Sequence, residues 1–467
     1  MQKTRNPHST EPRSMPKPAS IPQPRSNPFK LQGLAWLWML FGLTGVALLS
    51  ATAGGLLALS LSKTPLMQRP LTAKESAVFS KGDDRISSGG AFQLPELTRS
   101  VNILVLGIKV LSTDVDNPPP EARNLGYHAT INSFEGLSDT MLLVRFNPDA
   151  KKVAVLSIPR DTRTAVEGLG VTKINAANAT GGPAMSAQAT SELLGGVGID
   201  RYVRINVLGV EKLIDALGGV TVYVPKDIKY QDDSQHLYIN LKAGRQHLNG
   251  NQTLQLLRFR YDENGDIGRI QRQQMVMRAL TEQALNPGTI ARLPKILSVI
   301  QSHIDTNLSV EELVALVGFA ARSNRSNVQM LMLPGTFSSP GQYDASYWLP
   351  DYNRIDAMVA QHFGNGLARS QALNPASLKI AIQDSTGRSQ AVNQMVEALN
   401  ETGYSNVMVD RPWTEPLAQT RIVAQQGNVA DAEALRQSLG LGEVRIESTG
   451  NLESDVTIQV GRDWLKR

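Results

Sequence analysis

Apolar residues occur along this chain in three textures, and each predicts a different kind of element. Between Lys30 and Lys63 there is no charged side chain, and Leu34 to Leu61 is mostly Leu, Ala, Gly, Trp and Met. A helix of that length, about 42 Å, exceeds the roughly 30 Å of hydrocarbon in a bilayer. The pattern predicts a transmembrane helix over 31–62. Ala51-Thr52-Ala53 resembles a signal-peptidase site, but the apolar run continues through Leu56, Leu57, Leu59 and Leu61, which favours an uncleaved anchor.

From Val101 the texture changes to short apolar runs, at 101–107, 140–146, 153–158, 202–205 and 220–224, which read as buried strands. Helical patterns lie between and after them, near 176–194, 210–217 and 268–285. Strands alternating with helices predict an α/β domain over 96–285, punctuated by Gly-Gly pairs at 181, 195 and 218. Residues 286–375 read as a mainly helical extension and linker. A second small α/β unit follows over 376–467, with strands near 379–383, 406–409, 421–424, 443–447 and 455–460. Val392, Met395, Val396 and Leu399 mark one of its helices by their i, i+3, i+4, i+7 spacing. Two stretches are poor in apolar residues. Residues 1–30 carry seven prolines and predict a disordered tail. Residues 63–95 read as a linker.

Charge sharpens this layout. The formal net charge is +5, and the tail alone, with Lys3, Arg5, Arg13, Lys17, Arg25 and Lys30 against Glu11, accounts for all of it. The rest of the chain is neutral, so no basic groove for nucleic acid is expected. Cations before the apolar run predict a cytoplasmic N-terminus and an extracytoplasmic remainder, with the chain held in the plasma membrane by a single pass. The absence of cysteine excludes disulfides, thiolate metal sites and Cys nucleophiles. No P-loop, G-x-G-x-x-G, H-E-x-x-H or G-x-S-x-G is present, and no two histidines stand at i, i+3 or i, i+4.

Three segments could carry chemistry. In 258–274, Arg258 and Arg260 alternate, while Arg269, Arg272 and Gln273 share one helix face. Arginines in a first helical turn oppose the helix dipole unless a bound anion reverses that cost. The competing reading is a solvated salt-bridge network with Asp262, Glu263 and Asp266. The second segment is Ser157-Ile-Pro-Arg160-Asp161-Thr162, at the end of an apolar strand where ligands of α/β sheets collect. It could equally be a polar turn. The third is Ser138-Asp139-Thr140, where an Asp at a strand start is as readily a turn or cap residue as a ligand.

Taken together and in order, these motifs resemble the LytR–CpsA–Psr (LCP) family. Asn102–Gly107, Ser138-Asp139-Thr140-Met141, Ser157–Asp161, Lys173-Ile-Asn175, 215–220, Leu248-Asn-Gly250 and 258–274 all take part. Residues 376–467 resemble, more loosely, the LytR-type C-terminal domain often appended to such proteins. The resemblance implies an LCP-type α/β domain with a central mixed sheet flanked by helices. It also implies a phosphotransferase that attaches glycopolymers from polyprenyl-pyrophosphate lipid carriers to peptidoglycan. On that reading Arg258 and Arg260 clamp the pyrophosphate, Arg160 and Arg269 complete the cage, Gln273 bonds a phosphate oxygen and Asp139 holds Mg²⁺. Where the family has an acidic residue after the first strand, this chain reads Gly107-Ile108-Lys109. Either Lys109 supplies positive charge directly to the phosphate, or Mg²⁺ binds more weakly, through Asp139 and waters, or not at all; weaker Mg²⁺ dependence is expected. Two other functions use the same features: a polyprenyl-pyrophosphate-lipid phosphatase, or a non-catalytic cell-envelope binding or regulatory protein.

Overall fold

The computed structural model describes residues 70–79, 85–89, 95–109, 134–233, 237–259, 265–284, 286, 288–323, 327–364, 375–425 and 427–466. All of them belong to one compact unit, Ser62–Arg467. The expected tail and transmembrane helix lie outside the described residues. Among the described residues no helix is long and apolar enough to cross a membrane.

Six strands make the central sheet: β1 (Val101–Lys109), β2 (Leu137–Asn147), β3 (Lys152–Ile158), β4 (Arg201–Asn206), β5 (Ile304–Thr306) and β6 (Val328–Met332). Their order is β5-β4-β1-β2-β3-β6. β4 is parallel to β1 and β6 is parallel to β3, while β2 and β5 run antiparallel to their neighbours. The carboxyl ends of β1, β3, β4 and β6 therefore share one edge, which is where open α/β sheets bind ligands.

The strands read as unbroken apolar runs because both faces are covered. On one face Leu104, Leu106, Leu143 and Leu156 pack under helix α1 (Ala176–Leu193), which bends at Gly181-Gly182. On the other, Leu142, Val153 and Val155 meet Phe319 of a later helix. Each fully buried Leu contributes roughly 1.5–3 kcal/mol. Helices α2 (Val207–Leu217), α3 (Gly250–Arg258), α4 (Gly265–Ala284) and α5 (Val310–Arg322) complete the layers. Their starts are chemically marked: Asn206, Asn249 and Ser309 each accept a backbone N–H of the first turn.

Two expectations change here. Residues 286–375 are not a separate helical extension, because they supply β5 and β6, the two edge strands of the sheet. Strands of three and five residues carry too little periodicity to stand out beside helices. The described part of 63–95 is not a bare linker either. Phe79 is buried against Tyr202, with ring centroids 5.1 Å apart, and Ile86 is fully buried beside Val101 and Ile103. Isolated apolar residues in a polar stretch give no periodic signal.

The C-terminal unit is a five-stranded sheet of β7 (Ile380–Asp384), β8 (Val407–Val409), β9 (Arg421–Ala424), β10 (Glu443–Arg445) and β11 (Val456–Val460), in the order β8-β7-β11-β9-β10. Its helices α6 (Ser389–Glu401) and α7 (Val429–Leu439) share its core. The segment after β10 docks on the central sheet. The Met330 N–H of edge strand β6 donates to the Ile446 carbonyl at 2.8 Å, and Ser448 Oγ donates to the Met330 carbonyl at 3.4 Å. Ile446 and Leu452 pack against the core under α1. Arg278 of α4 pairs with Glu447, and Arg354 with Asp455.

Candidate active site

At the carboxyl edge the β1–β2 ladder slips. Gly107 pairs with Thr140 and Ile108 with Ser138, so Asp139 is left without a partner on β1. β3 does not reach it either, since that ladder begins at Met141. Such a bulge bends a strand and re-aims the extra side chain. The Asp139 carboxylate meets Arg160 Nη1 at 2.6 Å. Arg160 follows β3 by two residues, beyond Pro159, and its Nε reaches Asp161 at 3.3 Å. Lys173 Nζ takes the other oxygen of Asp161 at 2.8 Å.

The turn is held from several sides. Asn175 donates its N–H to the Arg160 carbonyl, Ile174 to Thr162 and Trp348 to Asp161. Thr162 is fully buried and its hydroxyl returns to the Pro159 carbonyl at 2.6 Å. Ser138 N–H in turn reaches the Asn175 carbonyl, tying the bulge to the same brace. Arg160 and Asp139 are each about a quarter exposed, so the pair is fixed yet open to a ligand. Burial works against the Arg160 charge, but Asp139 and Asp161 outweigh it and hold its pKa above the ordinary arginine value. Arg160 is a cation at every physiological pH.

The structure thus brings together Asp139, Arg160, Asp161 and Lys173. Ser157–Thr162 is a braced turn that carries two ion pairs of Arg160, and Asp139 sits in a bulge rather than at a cap. Lys109 ends β1 one register step past the bulge, opposite Leu137, and so lies on the same edge. Gln273 of α4 lines a small cavity with Thr140, next in chain to Asp139, and Ser157, three residues before Arg160. Arg258 ends α3 and is half-buried. Arg260 lies outside the described residues, with Asp262 and Glu263. Helix α4 begins at Gly265, three residues before the expected Gly268, so Arg269 stands in its second turn and the first-turn dipole argument loses force. Arg272 is a brace: it is buried, donates Nη2 to the Phe259 carbonyl at 2.7 Å and lies 5.3 Å from that ring.

Two features escaped the sequence reading. Lys173 appeared only as part of a motif, although its pairing with Asp161 fixes the Arg160 turn; the contact spans 12 residues and has no local periodicity. Arg204 and Asp305 form a buried ion pair at 2.6 Å, joining β4 to β5. For a divalent cation, the carboxylates gathered here among the described residues are Asp139, engaged by Arg160, and Asp161, engaged by Arg160 and Lys173. Among the described residues no group of three His, Asp or Glu side chains could hold a metal. The residues therefore fit Mg²⁺ only in the mode where water and substrate phosphate oxygens complete its shell.

Comparison with known proteins identifies two family segments in the chain. The model of the LytR_cpsA_psr family matches residues 67–363, and that of the LytR cell envelope-related transcriptional attenuator matches 377–464. The polyisoprenyl-teichoic acid–peptidoglycan teichoic acid transferase TagV of Bacillus subtilis is 31% identical over 229 residues, 48% of this chain and 58% of that protein. The regulatory protein MsrR of Staphylococcus aureus is 35% identical over 173 residues, 37% of this chain and 51% of that one. The TagU transferase of Oceanobacillus iheyensis is 31% identical over 280 residues, 58% of this chain and 78% of its own length. This chain thus spans little more than half the length of TagV and MsrR. The crystal structure of Bacillus subtilis TagV superposes with a TM-score of 0.47 at 28% identity, over 57% of this chain and 98% of that one. With the first family model matching well over half of its length, the chain belongs to the LytR–CpsA–Psr family.

Proposed function

We propose that this protein is a membrane-anchored phosphotransferase that moves a glycopolymer from a polyprenyl-pyrophosphate carrier onto peptidoglycan outside the cytoplasm. The observation that carries the reading is Arg160, held by Asp139 and Asp161 at the carboxyl edge of the sheet, where α/β sheets bind ligands. The names of TagV and TagU support the reaction class. The apolar run 34–61 and the cations before it support the anchor and its orientation.

In this reaction an acceptor hydroxyl attacks the phosphorus nearest the polymer. A new P–O bond forms, the pyrophosphate P–O bond breaks, and polyprenyl phosphate leaves with the hydroxyl proton. Negative charge grows on the departing phosphate, so cations fixed beforehand lower the barrier. Arg160 meets that need without rearranging. Arg258, Arg260, Arg269 and Lys109 would add charge around the pyrophosphate, and Gln273 a hydrogen bond. Asp139 would hold Mg²⁺, which neutralises phosphate charge when bound. The prenyl chain would enter between α4 and the outer face of β2 and β3, where Leu142, Val155 and Met277 line a space of about 30 Å³.

The test is a transfer assay with the purified chain in detergent, given a labelled polyprenyl-pyrophosphate glycan, a peptidoglycan fragment and Mg²⁺. The Arg258→Ala/Arg260→Ala variant runs alongside. Label on peptidoglycan, lost in the variant, supports the proposal. Phosphate release without label transfer would make the protein a lipid phosphatase, and tight lipid binding with neither product a binding or regulatory protein. Activity that persists in chelator would mark the weak metal dependence expected from Lys109, and abolition would count against it.

A further inference from the structure

Next to the arginine site, a cavity of about 880 Å³ lies between one face of α4 and the C-terminal unit. That is ample for a ligand of several rings. One wall is the α4 face bearing Gln271, Met275 and Arg278, with Arg245 from the strand Gly244–Leu248. The opposite wall comes from the carboxyl ends of the parallel strands β7 and β8, which carry Gln383 and Asp410, and from the loop after β8. The carboxyl ends of parallel strands are where α/β units place ligands. The loop is held in shape: Asp410 N–H donates to the Ile382 carbonyl, Trp413 N–H to Asp384, and Gln383 Nε2 to the Asp410 carboxylate.

The lining has a definite chemistry. It holds six cationic and four acidic side chains, an excess of two positive charges. Arg245 and Arg411 are exposed, lie on opposite walls, and have no carboxylate partner among the described residues. Burial, with the nearby Arg445 and Arg278, pushes Arg421 below the ordinary arginine pKa, against the pull of Glu415 and Glu447. Trp413 is half-buried, and its indole N–H finds no acceptor among the described residues. Planar amides, a carboxylate and forked guanidinium groups set around an aromatic ring suit neighbouring hydroxyls and anionic substituents on a ring with an apolar face. A prenyl chain would strand these charges, and the acidic side chains disfavour nucleic acid.

We propose that this cleft binds a saccharide chain bearing carboxylate or phosphate groups, with a sugar ring on Trp413 and the anionic groups on Arg245 and Arg411. The C-terminal unit then acts as one jaw of a glycan clamp. The cleft borders the reactive edge on two sides. Trp348, on its wall, donates to the Asp161 carbonyl, and Arg272 holds the Phe259 carbonyl one residue after Arg258. A bound glycan would point its reacting end toward the arginines. That last step rests on the transferase reading; the binding itself does not.

The experiment measures affinity of the full chain in detergent by calorimetry and tryptophan fluorescence. The probes are enzymatically released peptidoglycan fragments, a purified teichoic acid, neutral dextran and a single-stranded oligonucleotide. We expect one charged glycan to bind, dextran to bind at least tenfold more weakly, and the oligonucleotide not to compete. Fragments binding would mark the acceptor, and teichoic acid the donor polymer. Arg245→Ala/Arg411→Ala should weaken binding at least tenfold at unchanged melting temperature. Trp413→Ala should weaken binding at least tenfold, and Trp413→Phe, which keeps an aromatic ring, should restore most of the affinity; indifference to Trp413→Ala at unchanged melting temperature would count against the ring contact. Arg160→Ala should leave glycan affinity intact even if transfer is abolished. Glycan affinity that is absent, or indifferent to both cleft variants, would overturn the proposal whether or not transfer occurs.

Discussion

Arg160 spans two carboxylates, and Lys173 closes the far side of Asp161, so the guanidinium is aimed before any substrate arrives. A lysine keeps the charge but cannot span Asp139 and Asp161 with one planar fork. Arg160→Lys should therefore lower the transfer rate constant by about 100-fold or more, the scale of losing one preorganised donor. Its melting temperature should change little. A fall in melting temperature with normal turnover would recast Arg160 as a brace. The Arg204–Asp305 pair is the contrasting case, with Asp305 fully buried. Asp305→Ala leaves a buried guanidinium unpaired and should cost about 3–5 kcal/mol in urea unfolding. At this scale the sequence showed which residues mattered more clearly than what each does. Arg272 stood in the arginine-rich stretch beside Gln273, yet only the fold shows that it holds the Phe259 carbonyl rather than a phosphate.

At the scale of elements, strands such as 153–158 and 421–424 were legible because continuous apolar runs mark buried strands. Helix starts were less so: α4 begins in a polar stretch, Gly265–Asp266, that no apolar stripe announces. The Leu248-Asn249-Gly250 motif also gains a physical reason. Gly250 donates its N–H to Asp215 at 2.8 Å, and a Cβ there would lie 2.1 Å from the Glu211 carbonyl oxygen. The glycine lets α3 begin against α2, and α3 ends in Arg258. Gly250→Ala should destabilise the fold by about 1–3 kcal/mol, as overpacking does. It should also lower transfer by displacing Arg258. Denaturant midpoints and rates on the same preparation test both, and an unchanged midpoint would show that the helices can part freely.

At the scale of the whole molecule, the two units are joined by contacts far apart in sequence, which is why local pattern did not reveal the docking. His362 marks that join. Its Nε2 lies 3.2 Å from the Gly427 carbonyl and its Nδ1 is 2.9 Å from the Gln329 side chain. Burial pushes its pKa down to about 4 from 6.5; the Gly427 carbonyl opposes this and Lys152 adds to it. As pH falls through 6.5 the unfolded chain takes up a proton that the folded one refuses until about 4. The stabilisation is therefore complete above pH 6.5 and is lost between there and pH 4, on the order of 3 kcal/mol. Asp431, pushed up to about 6 by burial and by Asp455, acts in the opposite sense over part of that range. The difference between the native chain and His362→Gln, followed by melting from pH 7 to 4, isolates the histidine. Parallel curves would refute it.

The backbone bond between Met330 and Ile446 also bears on how this protein can be divided. β6 is an edge strand, and its outward N–H and C=O at Met330 are both taken by the segment after β10. Cutting the chain between the two family segments uncovers that edge together with the apolar surface that Ile446 and Leu452 occupy. An uncovered strand edge recruits other strands. A fragment ending near residue 364 should therefore self-associate at concentrations where the full chain stays dispersed, as light scattering would show. Its loss of activity would then measure aggregation as much as any missing function of the C-terminal unit.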